Sequence, residues 1–149
     1  MPAPAIPLPS PCTCFRLRRA ARQVSQMYDR ELSVVDLSLN EYSILRRVAP
    51  SPRSLGELAD LAGMDRSTLN RNLKPLLDAG WLKEARGPDA RQRLIAITSS
   101  GRARIAKAMP CWQRAQTRLE SLYGVAETQR LNADLDALER AVRPGEAVR

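Results

Sequence analysis

Along most of this chain apolar residues return every three or four positions, the spacing of one face of an α-helix. From 13 to about 34 they are Phe15, Leu17, Ala20, Ala21, Val24, Met27, Tyr28 and Leu32, with Arg16, Arg18, Arg19, Arg22 and Arg30 mostly between them. Tyr42, Ile44, Leu45 and Val48 make the inward stripe of a shorter helix, with Arg46 and Arg47 outside it. Ser38 and Glu41 mark its start, since a serine accepts a backbone N–H while a glutamate three residues on reaches back. Pro50 and Pro52 end it, because proline donates no helical bond. The same pair of types, Ser54 and Glu57, opens a helix to Leu61 whose buried stripe is Leu55, Leu58, Ala59 and Leu61. Gly63 follows where the chain must turn sharply, and glycine takes a left-handed backbone without steric penalty. Asp65 caps the next helix, to about 80, with core positions Leu69, Leu73, Leu76 and Leu77; Pro75 inside it predicts a kink or break. Residues 81–86 and 93–97 read as strands around a turn at 87–90. After Gly101 the helical spacing resumes with Ile105, Ala108, Met109, Trp112, Ala115, Leu119 and Leu122, bent at Pro110 and broken at Gly124. Leu131, Leu135, Leu138 and Val142 carry a last helix over 125–142.

Helix, turn, helix and then a hairpin is the plan of a winged helix. The expected fold is mainly α with a small β-hairpin wing, flanked by N- and C-terminal dimerisation helices. Residues 1–11, five of them proline, are expected to be an extended, mobile arm. Residues 12–149 then form one domain, with the winged unit at 37–101 and dimerisation helices at 12–36 and 102–143. Those long helices offer more apolar surface than so small a winged unit can cover, which predicts a homodimer.

Charge sharpens this picture. The chain carries 24 basic and 16 acidic residues, a net of +8. Residues 1–65 contribute +1, residues 66–107 contribute +7 and residues 108–149 contribute nothing. Nearly all the excess therefore lies on the second helix of the unit, the hairpin and the start of the next helix. That concentration predicts a polyanionic partner, double-stranded DNA first. The second helix offers Ser67, Thr68, Asn70 and Arg71 off its core stripe, types that reach base edges in a major groove, with Arg71 suited to guanine and Asn70 to adenine. Arg66 and Lys74 are placed for phosphates, and Ser54 joins them at the start of the preceding helix. In the hairpin Arg91 and Arg93 suit a minor groove, and Asp89 is expected to hold the Arg91 guanidinium. An ordinary turn, with the aspartate bonding its own backbone, is the plainer reading of Asp89.

An enzyme is not expected. There is no histidine, no glycine-rich phosphate loop and no paired-carboxylate motif. No cofactor is expected, and no metal, since Cys12 and Cys14 supply two ligands and the third cysteine, Cys111, is remote. No run of about 18 apolar residues suggests a membrane span, and the N-terminal stretch lacks the form of an export signal. A cytoplasmic location with reduced thiols is therefore expected. Two competitors remain: a winged helix used only for protein contacts, and a DNA binder without sequence preference. The first has no salt-dependent DNA affinity and the second no preferred site.

The stretch from Ser54 to Gly101 resembles the MarR family of bacterial transcription regulators. The likeness rests on Leu55, Leu58 and Ala59; on Asp65, Arg66, Ser67, Thr68 and Leu69; on Leu76 to Leu82; on Asp89 and Arg91; and on Leu94 to Thr98 with Gly101. It extends over about 12–142; the wing is slightly short and Pro75 departs from the usual pattern. The resemblance implies an obligate homodimer, a pseudo-palindromic DNA site, usually repression, and release by a small molecule, such as a small aromatic ligand, or by an oxidant. Cys14 with Phe15, Tyr28 fourteen residues on and Tyr42 fourteen further match the spacing of the organic-hydroperoxide-sensing branch, OhrR. That likeness makes Cys14 a candidate sensor thiol and Tyr28 a candidate tyrosine partner, although Arg18 and Leu39 stand where two further tyrosines would be. Arg18, one turn from Cys14, favours thiolate, and Cys12 or Cys111 is a candidate resolving thiol. A small buried apolar residue is the plainer reading of Cys14.

Removing residues 1–10 is expected to leave the oligomeric state unchanged in sedimentation analysis. A monomer after that deletion would make the arm structural.

Overall fold

The computed structural model describes residues 11–89 and 91–145. The proline-rich arm expected at 1–11 therefore lies almost wholly outside the described residues. Six helices and three short strands follow in the order α1 (Thr13–Leu32), a 3-10 turn (Ser33–Val35), α2 (Leu39–Val48), β1 (Arg53–Ser54), α3 (Leu55–Ala62), α4 (Arg66–Asp78), β2 (Leu82–Arg86), β3 (Arg93–Ile97), α5 (Ser99–Tyr123) and α6 (Val125–Val142). The fold is mainly helical with a small antiparallel wing, as the spacing predicts.

Side-chain caps set the boundaries. Ser38 and Ser54 each accept the N–H of the glutamate three residues on, and that glutamate bonds back to the serine's own N–H. Both capping boxes therefore close, satisfying N-terminal donors that a helix leaves orphaned. Gly63 ends α3 at φ 64°, in the left-handed region. Asp65 caps α4 by accepting the Thr68 N–H at 2.8 Å.

The core lies where α2, α3, α4, the sheet and the first half of α5 meet. Ile44, Leu45, Leu58, Leu69, Leu76 and Leu82 are its largest fully buried side chains in this part of the molecule. Deleting one such leucine typically removes about 2–5 kcal/mol. The sheet order is β1-β3-β2, so β3 is central. Arg53 pairs with Ile95 on one side of it, and Leu82 pairs with Ile97 on the other. The strand β1 has only two residues and no pattern that a period-based reading detects.

Three expectations need correction. Leu61, expected in the α3 stripe, is 46% exposed; it lies in the last turn, beyond the reach of the core. Pro75 does not break α4, which runs unbroken to Asp78. Leu69, Leu73 and Leu76 face the core and Pro75 is exposed, so the carbonyl it leaves without a donor faces water. Like Pro75, Pro110 is exposed, and α5 continues through it to Tyr123. Finally, α5 begins at Ser99 rather than after Gly101, because Thr98 is its cap.

That cap ties the wing to the long helix. The Thr98 hydroxyl accepts the Gly101 N–H at 3.0 Å and donates to the Gly80 carbonyl at 2.7 Å. Gly101 is buried, and a Cβ there would lie 2.1 Å from the Trp81 carbonyl oxygen and 2.8 Å from Ile97. Only a residue without a side chain lets α5 leave the sheet at this point. Gly101→Ala is expected to destabilise the fold by about 1–3 kcal/mol, the usual range for overpacking. The urea midpoint measures this; an unchanged midpoint would mean that α5 can shift off Trp81.

Candidate nucleic-acid interface

The face of α4 opposite Leu69, Leu73 and Leu76 carries Ser67, Arg71, Lys74 and Asp78, all exposed. A 3.6-residue period places Arg71 close to the middle of that face, with Thr68 and Asn70 on its two flanks. Thr68 is half-buried. Its hydroxyl donates to the Asp65 carboxylate at 3.1 Å and accepts from an Arg71 Nη at 3.3 Å. These bonds, with the Thr68 backbone N–H as the largest cause, hold the Asp65 carboxyl below the usual carboxylate range. Asp65 therefore stays charged at neutral pH. Asn70 borders a cleft of about 290 Å³ between α4 and the sheet, beside Leu73, Leu77, Glu84 and Arg93. It sits away from Arg71 and toward the wing.

The cations predicted for phosphates differ in how they are held. Arg66 is exposed at the first position of α4, with one Nη 3.8 Å from where a Cβ on Gly56 would be, so it reaches over the first turn of α3. Ser54 spends its hydroxyl as the α3 cap. Lys74 pairs with Asp78 at 2.8 Å, one helical turn on. Both partners are largely in water, where such a pair is weak and readily exchanged for a phosphate. Its positive charge is thus paired in this structure.

In the wing, Asp89 follows the plainer of its two readings. Its carboxylate accepts the Arg91 backbone N–H at 3.2 Å, which shapes the turn. The expected ion pair with the Arg91 guanidinium is not formed among the described residues. Arg93 instead pairs with Glu84 on the neighbouring strand. Arg86 and Arg93 are directly opposed in the ladder, and both are exposed. Like charges in that position destabilise a hairpin, and a polyanion relieves the repulsion.

Three arginines behind this face were not legible as functional. Arg47 donates Nε to the Leu61 carbonyl at 2.6 Å and Nη1 to the Ser43 carbonyl at 3.1 Å. It clamps the negative end of α3 to α2 and so fixes the helix-turn-helix geometry. Arg102 donates to the Ala49 carbonyl at 3.0 Å. Arg104 lies 4.4 Å from the Trp81 ring centroid and donates to the Val35 carbonyl at 3.1 Å. The only sequence signal for such clamps is an arginine near a helix end, which is also what a solvated arginine looks like.

The sensor candidates separate. Cys12 caps α1, its Sγ accepting the Phe15 N–H at 3.4 Å. Cys12 and Cys14 are both exposed, so the reading of Cys14 as a small buried residue does not hold within one protomer. They border a cleft of about 440 Å³ with Phe15, Arg18, Arg19 and Arg22. Tyr28 lies fourteen residues along the same helix, about 21 Å away by helical rise, and does not contact Cys14 within one protomer. Its hydroxyl donates to Gln116 Oε1, and burial followed by the nearby Glu120 carboxylate raises its pKa. Cys111 is buried in the core and accepts from Arg114 Nη2 at 3.2 Å.

A MarR family model matches residues 35–93, from the end of the 3-10 turn after α1 to the first residue of β3. The transcriptional regulator MosR of M. tuberculosis, solved in complex with DNA, is 36% identical, with 88% of this chain and 96% of that one covered at a TM-score of 0.78. The chain belongs to the MarR family. The transcriptional repressor CouR, solved on a 23-mer DNA duplex, is 26% identical over 85% of this chain and 92% of its own, with a TM-score of 0.77. Apo MarR from E. coli, at 19% identity, 87% and 98% coverage and a TM-score of 0.70, shares the fold. No curated protein matches the chain significantly. Of the residues that carry the resemblance, Asp65 is a helix cap, Arg66 reaches over α3 and Asp89 bonds the Arg91 backbone.

Arg91→Ala is expected to weaken DNA binding about equally for all sequences and to lower the salt slope by about 1, as loss of one phosphate contact does. The melting temperature should not move, because the turn uses only the Arg91 backbone. Unchanged affinity would remove the wing from the interface.

Proposed function

We propose that the protein is a homodimeric, sequence-specific DNA-binding repressor of transcription, released by a small-molecule ligand. The observation that carries this reading is the outward face of α4. Ser67, Arg71 and Lys74 stand exposed on a helix whose other side is locked into the core, beside a wing with two opposed arginines. In this reading 37–101 is the DNA-binding unit. Its α4 enters a major groove through its N-terminal turns, and the wing lies along the adjacent minor groove. Two copies then address half-sites about 34–36 Å apart. Such a regulator works beside the chromosome in the cytoplasm and needs no catalytic group.

Support for the homodimer comes from α1, α5 and α6. Among the 18 residues of α6 only Thr128 is buried. Leu131, Leu135 and Leu138 are between 38% and 40% exposed, and Leu122 and Val142 about 70%. Leu131 and Leu135, with Leu17, Val24, Leu119 and Tyr123, line an apolar groove of about 520 Å³. A helix this open does not hold itself in water, and a second copy of the same helices is the self-complementary cover. No helix among the described residues is long and apolar enough to cross a membrane.

The ligand site in this reading is the cleft of about 440 Å³ between α2 and α5, lined by Tyr42, Arg46, Met109 and Trp112 among others. It has two aromatic walls and a cation, which suits a small aromatic molecule. It also touches both the DNA-binding unit and a dimerisation helix, so occupancy can change the spacing of the two α4 helices.

A second reading, oxidant release, is favoured by the exposure of both Cys12 and Cys14 beside Arg18 and Arg22. The Cys14 thiolate attacks the distal oxygen of an organic hydroperoxide, giving a sulfenic acid and an alcohol. A second thiol then displaces water to form a disulfide.

One titration separates these readings: binding to the protein's own upstream region against random DNA, across salt concentrations, reduced and after an organic hydroperoxide, with Cys14→Ser alongside. The repressor reading expects a preference of about 10³-fold or more for its site and a steep loss with salt. Equal affinity for random DNA would sink sequence specificity. Release of the wild type but not of Cys14→Ser by hydroperoxide would establish the thiol and displace the ligand reading.

A further inference from the structure

The hydroxyl of Thr68 has one hydrogen, and that hydrogen is already committed. It points to the Asp65 carboxylate at 3.1 Å, while the oxygen's lone pair takes an Arg71 Nη–H at 3.3 Å. A hydroxyl arranged this way offers a groove no donor of its own. What it does is transmit the anchored charge of Asp65 to the guanidinium three positions further along the helix. Asp65 is itself fixed, because its other oxygen accepts the Thr68 backbone N–H at 2.8 Å as the helix cap. The three side chains form a chain that starts at a rigid cap and ends on the exposed face.

Arg71 is the member that reaches outward. It is exposed, lies near the middle of the face away from Leu69, Leu73 and Leu76, and leans toward the N-terminus of α4, as helical side chains do. That is the end of a recognition helix that approaches base edges. One Nη–H is engaged with Thr68, and the guanidinium keeps its remaining donors in a fixed planar fork. Guanine presents two acceptors, N7 and O6, in the major groove, whereas adenine presents one acceptor and a donor there. A planar donor fork held in one orientation therefore selects guanine.

We propose that Arg71 reads a guanine in each half-site, and that Thr68 is a positioning residue that orients it by bridging Asp65 and Arg71 rather than reading a base itself. This rests on the assignment of α4 to the major groove, and it moves Thr68 out of the set of base readers. The division of labour makes two substitutions report on one base. Thr68→Val removes the hydroxyl at nearly constant shape and leaves the backbone N–H that Asp65 caps.

The test is selection of bound duplexes from a randomised DNA library by the full-length protein, its Arg71→Ala, Thr68→Val and Thr68→Ser forms, followed by titration on the selected site and on its guanine-to-adenine variants. The wild type should prefer guanine at one position per half-site by about tenfold or more, the discrimination of a bidentate arginine. Arg71→Ala should abolish that preference. Thr68→Val should lower it at the same position, and Thr68→Ser should retain it. If Arg71→Ala selects the wild-type motif, the placement of α4 in the groove fails. If Arg71→Ala loses the guanine but Thr68→Val keeps it, the positioning role alone fails. If Thr68→Val relaxes a different position, Thr68 reads that base directly and the division of labour is wrong. Should Thr68→Val melt early, Thr68→Ala is scored by the same ratio of guanine to adenine affinity.

Discussion

Everything about where α4 and the wing point depends on one crowded junction. Thr98 closes the N-terminus of α5 and holds the Gly80 carbonyl with the same hydroxyl. Gly101 lets the helix backbone come against the Trp81 carbonyl, and Arg104 lies over the Trp81 ring. The root of the wing, the end of α4 and the start of the longest helix thus meet within a few residues. A shift of α5 at this point moves α4 and the wing together. Arg102 and Arg104 extend the same attachment to Ala49 and Val35, so the winged unit is carried on α5 as one body.

Much of the fold was legible because its signals are local. Ser38 with Glu41 and Ser54 with Glu57 name two helix starts, and both boxes close. Leu69, Leu73 and Leu76 name the inner face of α4, and all are buried. What escaped is what depends on partners distant in the chain. The strand β1 exists only because β3 lies beside it. Arg47 looks like any outward arginine until α3 brings its last carbonyls within reach. Pro75 reads as a break only while its face is unknown; it lies on the exposed side of α4, where the carbonyl it leaves without a donor is open to hydration.

The candidate interface shows the same division. The types on α4 were readable from the helical period, but their bonds were not. Lys74 had a partner at Asp78, Thr68 had none of its hydroxyl to spare, and Asp89 bonded the Arg91 backbone in place of its guanidinium. Spacing identifies who shares a face. It does not say which donors remain unspent, and base recognition is decided by those.

The open flank of α6 has a genetic corollary. Because this helix buries a single side chain within its own chain, a folded protomer draws part of its stability from its neighbour, and the population of intact molecules rises with the amount of protein made. With α4 as the half-site reader and α1, α5 and α6 as the dimer helices, as proposed, an allele damaged only on α4 still claims wild-type chains. Mixed pairs present one working half-site reader and one blind one. Such an allele acts dominantly, whereas a lesion in α6 is recessive because it withdraws the damaged chain from the pool.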